Sequence, residues 1–137
     1  MDKPISAQEA LIYAMVTLSA SDRAMTDAEL SSIGRIVRTA PAFHGFDENR
    51  LVATARACGE IIAADDGLDH VLDVIHACLP ERLRETAYAL TIEVAAADLH
   101  VEQEELRFLQ MLRDRLDLDP LVVAAIERSA RVRYRSA

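Results

Sequence analysis

Ser6-Ala7-Gln8-Glu9 and Thr26-Asp27-Ala28-Glu29 are two copies of one helix-start signature, a hydroxyl residue followed three positions later by a glutamate. In this pairing the hydroxyl accepts from the third amide of the helix while the glutamate reaches back to the amide of the cap. Two donors that open a helix without partners are thereby satisfied together. Behind each signature an apolar residue returns every third or fourth position: Leu11, Met15 and Leu18 after the first, Leu30, Ile33 and Val37 after the second. That spacing lays one stripe along one face of an α-helix, whereas a half-buried strand needs alternation by two.

The remaining segments carry the same signals. A first helix is expected from Ser6 to Asp22 and a second from Thr26 to the Ala40-Pro41 break, proline disfavouring helical backbone in the residue before it. Asp47 is placed to cap a third helix through Leu51, Ala55, Cys58 and Ile62, which ends at Asp65-Asp66-Gly67 with the glycine in a left-handed conformation. A fourth spans about Leu68 to Leu79, and Pro80 opens a fifth that runs through Leu83, Ala87, Leu90 and Val94 to Asp98. The sixth covers about Glu102 to Leu116. Asp119-Pro120 starts the seventh, which carries Val122 and Ile126 and ends basic, with Arg131, Arg133 and Arg135. The connections are short and no Pro, Ser or Gly linker divides the chain, so the expectation is one all-α bundle of seven helices over residues 1–137. Composition agrees: apolar residues make up 51% and aromatics only 4%, which suits helices better than sheets.

Fifteen Lys and Arg against 23 Asp and Glu leave a net charge of −8, a field that repels nucleic acid and anionic lipid and favours cations or basic partners. Met1 to Ser6 lacks a basic segment leading into an apolar run, and no stretch approaches membrane-spanning length, so a cytoplasmic chain without membrane insertion is expected. Cys58 and Cys78 both fall within helical apolar patterns and are expected to be reduced, buried and structural.

A shift of 76 residues lays Ala20 to Leu30 onto Ala96 to Leu106, with Ala, Asp, Glu and Leu coinciding. The register continues with Ile33 on Leu109 and Ile36 on Leu112, which marks a duplicated helix pair. At each bend stand one aspartate and one glutamate, Asp22 with Glu29 and Asp98 with Glu105, at positions that continue the apolar stripes. A carboxylate beside the core, at the negative end of a helix dipole, needs a cation, hydrogen-bond donors or a proton. One reading makes these four acids a site for a divalent metal ion, since hard cations accept carboxylates completed by carbonyls and water. It is not an EF-hand: the position that should supply the bidentate acid holds Ile33 or Leu109, and the central glycine is missing. The other reading is structural. Glu29 belongs to the Thr26 cap, Asp22 can accept from the amides opening the second helix, and Arg23, Arg35, Arg107 or Arg113 can pair with the acids in a protein-interaction scaffold. Capping accounts for the second bend less well, because Glu102 stands where Thr26 stood and glutamate is a poor cap.

The alanine-rich helix running into Asp, followed by an acid and Leu that open the next helix, resembles the TerB-like tellurite-resistance family over nearly the whole chain. The resemblance implies an all-helical fold of pseudo-duplicated halves and an acidic cluster for metal, carried here onto Asp22, Glu29, Asp98 and Glu105. It further implies a role in metal or oxyanion stress, with a protein partner in a stress-response or membrane-associated complex, and no catalysis. Members typically have Asp-Gly at the bend, where this chain reads Asp22-Arg23 and Asp98-Leu99.

Other chemistry is poorly provided for. Asp69, Asp73 and His76 share a helix face opposite Val71, Leu72, Ile75 and Leu79, which reads as a solvated stripe. No glutamate has a histidine three residues later, as a di-iron bundle requires, and no nucleophile elbow or phosphate-binding glycine loop occurs. Arg128, Arg131, Arg133 and Arg135 could dock an acidic partner, although a last helical turn favours cations on its own account.

Overall fold

In a computed structural model the described residues are 4–20, 25–97 and 103–137. They contain seven α-helices and no strand: α1 (Ala7–Ser19), α2 (Asp27–Thr39), α3 (Leu51–Ala63), α4 (Gly67–Cys78), α5 (Arg84–Ala97), α6 (Gln103–Arg115) and α7 (Pro120–Arg133). Short 3-10 turns at Pro41–Phe43, Glu48–Arg50 and Glu81–Leu83 join them.

The middle of the molecule is α1. Every residue from Ala10 to Ser19 is buried, and α2, α3, α4, α5 and α6 all pack against this helix. Its sequence, Ala-Leu-Ile-Tyr-Ala-Met-Val-Thr-Leu-Ser, is apolar almost all round, as a helix surrounded by others must be. The outer helices α2 and α6 instead bury a single stripe, Ile33, Ile36 and Val37 in one and Phe108, Leu109 and Leu112 in the other.

The repeat seen in the sequence governs the packing. Under the 76-residue shift α2 and α6 have identical boundaries. The first helices of the pairs, α1 and α5, lie against each other, and each also receives the second helix of the other pair, α2 on α5 and α6 on α1. The third helices complete the parallel: α3 packs on α1 as α7 packs on α5. Even a polar contact recurs, since Thr17 Oγ1 meets Cys58 Sγ at 3.5 Å and their counterparts under the shift, Glu93 and Tyr134, are joined at 2.7 Å. The repeated unit is therefore three helices, with α4 standing outside it.

Several boundaries differ from the sequence expectation. Helix α1 stops at Ser19, with Ala20 as its cap, short of Asp22. Asp47 caps the 3-10 turn rather than α3 itself, its Oδ1 accepting from Asn49 N at 3.0 Å. Pro80 takes an extended conformation ahead of another 3-10 turn, and α5 starts only at Arg84. At the α3–α4 junction Asp66, not Gly67, adopts the left-handed conformation, with φ 54°. Gly67 is required for a different reason: a Cβ there would run into the backbone carbonyls of Ile61 and Ile62.

Candidate functional site

The crossed packing of α2 on α5 and α6 on α1 brings the first turns of α2 and α6 to one place. Between them lies a pocket of about 260 Å³ lined by Ser19, Thr26, Glu29, Ser32, Val94 and Glu105, among others. Two of the four acids singled out in the sequence thus meet in one pocket, one from each copy of the repeat. Asp22 and Asp98 lie outside the described residues.

Glu29 is held by the capping box that the sequence announces. Its Oε1 accepts from Thr26 N at 2.8 Å, and Thr26 Oγ1 accepts from Glu29 N at 3.2 Å. Glu105 occupies the corresponding place in the first turn of α6 and is more deeply enclosed, with 5% of its surface exposed. A carboxylate near a helix N-terminus faces the positive end of the dipole.

Ser19 was missed at the level of sequence. Its side chain is buried, and Oγ has no hydrogen-bond partner among the described residues. Thr17, two residues earlier, is equally buried but donates to Tyr13 O at 2.7 Å. A hydroxyl in an otherwise apolar run was the available signal, and nothing in the run itself separates a satisfied hydroxyl from an orphaned one.

Among the described residues no group of three or more His, Cys, Asp or Glu side chains is placed to hold a metal ion. What the pocket does offer is an all-oxygen donor set: two carboxylates and a buried hydroxyl in want of a partner. That chemistry fits a hard divalent cation of the calcium or magnesium kind, not a metal that prefers sulfur and imidazole.

The other titratable groups are tied into structure. Burial pushes the Cys58 thiol up to about 12, so it stays protonated at neutral pH, against Tyr13 O and Thr17. Cys78 is a half-buried free thiol. Asp73 and Asp69 of the stripe on α4 both reach Arg115 of α6, the latter at 4.0 Å, so that face is an inter-helix brace rather than a purely solvated one. Arg113, a candidate partner for the bend acids, is committed instead to Glu127 at 3.3 Å and Tyr88 Oη at 3.2 Å.

A family model described as tellurite resistance protein TerB matches residues 8–128. The chain belongs to the TerB family. No curated protein and no solved structure matches it. Both bends of this TerB chain fall inside the matched span, while the basic end of α7, from Arg131 onward, falls outside it. No helix among the described residues is long and apolar enough to cross a membrane.

Proposed function

We propose that this TerB-family chain is a non-catalytic domain that binds a divalent cation between its two bends and serves the response to tellurite or metal stress. The observation that carries the reading is that Glu29 and Glu105, equivalent residues of two repeats 76 positions apart, line one pocket together with the buried hydroxyl of Ser19. Asp22 and Asp98 complete the proposed ligand set by sequence position, one three residues after Ser19 and the other directly after Ala97, which also lines the pocket. A bound cation would neutralise the gathered carboxylates and tie the two halves of the repeat together, with no substrate bond made or broken. Such a domain acts by changing its own stability and surface, and so through a protein partner in the cytoplasm.

The capping box at Thr26 favours a second reading, in which the acids are structural and the domain is an interaction scaffold. The two uses are not exclusive for one carboxylate, which offers about four acceptor positions. Thermal unfolding of the metal-stripped protein, alone and with calcium, magnesium, manganese or zinc, separates them. An ion at about a hundredfold its dissociation constant adds roughly 2.7 kcal/mol, on the order of 8 °C at this chain length. The cation reading requires that shift with at least one ion and its loss in Glu105→Gln. If no ion moves the wild-type Tm, the acids are structural.

A further inference from the structure

The first half of the repeat is closed where the second is open. Between α5, α6 and α7 runs a groove of about 750 Å³, floored by apolar residues including Ile92 and Leu109. Under the 76-residue shift its lining falls mostly on buried residues of α1, α2 and α3, and the cause of the difference is local. In the first half Leu51 packs beside Gly34, where a Cβ would stand in ordinary contact, 3.6 Å from Leu51 Cδ2, and a longer side chain would have to displace it. Their counterparts are Gln110 and Glu127, larger and polar, and Val37 is replaced by Arg113, whose ion pair with Glu127 spans α6 and α7 at 3.3 Å. The effect shows at one matched pair: Leu30 is packed against the core, whereas Leu106, in the groove wall, is 51% exposed.

The charge of the groove is the reverse of the molecule's. Glu127 is engaged by Arg113 and by Tyr88. Arg131, in the last turn of α7, and Arg135, two residues past its end, both line the groove and have no ion-pair partner among the described residues, in a chain of net charge −8. From Leu106 to Arg113 the wall is two helical turns long, roughly 10 Å. The groove is open to solvent, which would leave an alkyl chain partly in water but suits a helix that presents one face.

We propose that this groove docks a short amphipathic helix of a partner protein, apolar residues against Ile92, Leu106 and Leu109 and acidic residues against Arg131 and Arg135. The inference does not depend on the cation site.

Two synthetic peptides of about 16 residues test it, both with Leu at i, i+3, i+4 and i+7, one flanked by Glu and the other by Lys. Binding is measured by titration and mapped on the amide spectrum of the full chain. The Glu peptide is expected to bind with its largest shifts on α5, α6 and α7. Arg131→Glu with Arg135→Glu, at exposed sites that leave the fold intact, should weaken it at least tenfold and should create binding of the Lys peptide; Leu106→Glu should weaken both. The proposal is overturned if the Glu peptide does not bind at about 1 mM, if both peptides bind the wild type equally, or if the shifts lie elsewhere. Concentration-dependent dimerisation that competes with the peptide would likewise overturn it, assigning the groove to a second copy of the chain.

Discussion

Tyr88 Oη donates a 2.6 Å hydrogen bond to Glu127 Oε2, joining the buried middle of α5 to α7. Arg113 donates to both of them, so three helices share one polar node beside the groove. Tyr88→Phe keeps the ring in the core and removes only the hydroxyl. The expected loss is about 1–2 kcal/mol, read as a lower urea midpoint with an unchanged slope, because Arg113 still neutralises Glu127. A loss near zero would mean the node contributes nothing beyond the packing of the ring.

The same tyrosine makes the protein sensitive to alkali. Burial, with the Glu127 bond next, pushes Tyr88 from 10.0 to about 12, and burial pushes Cys58 from 9.0 to about 12. Both groups hold their protons longer folded than unfolded, so above their ordinary values the unfolded chain binds fewer protons and stability falls as pH rises. The contribution is intact below about pH 9 and is lost progressively toward pH 12. Urea unfolding at about pH 7, 9 and 11 should show a midpoint steady over the first interval and falling over the second. A Tyr88→Phe, Cys58→Ala variant should begin lower and fall less.

How far the sequence reached depended on what each feature rests on. The capping boxes at Ser6 and Thr26 and the Asp119-Pro120 start are local chemistry, readable within four residues, and all three are formed. The equivalence of Glu29 and Glu105 was legible because the repeat kept those residues alike. The extension of the repeat to α7 was not, because Leu51 and Cys58 have become Glu127 and Tyr134, and only the packing on α5 preserves the likeness. The groove was hidden for the same reason: it is made by the substitutions that erased the sequence match. The end of α1 at Ser19 was misjudged because Asp22 continues the apolar spacing, and spacing alone does not say where a helix stops.

Gly67 and Asp66 divide between them a role the sequence assigned to the glycine. Since a Cβ on Gly67 meets the carbonyls of Ile61 and Ile62, which are backbone and cannot rotate away, Gly67→Ala must push α4 off the end of α3. A loss of roughly 3 kcal/mol or more is expected, with a Tm lower by on the order of 10 °C. Asp66→Gly should act in the opposite direction, by about 0.5 kcal/mol, since its left-handed backbone no longer carries a side chain. Equal tolerance of both changes in a melting series would contradict this account of the junction.

Ser19 separates fold from function within one residue. Its buried hydroxyl lacks a partner among the described residues, a condition that costs about 1–3 kcal/mol, so Ser19→Ala should raise the Tm of the metal-stripped protein. Thr17→Val, two residues away on the same helix, should lower it, because that hydroxyl is bonded to Tyr13 O. If the pocket holds a cation, Ser19→Ala also removes an oxygen donor, and the stabilisation produced by the ion should shrink while the baseline rises. Opposite movement of the two quantities identifies the hydroxyl as one retained for a ligand at some expense to the fold. A baseline that rises with no change in the response to any ion would assign Ser19 to neither cation nor core.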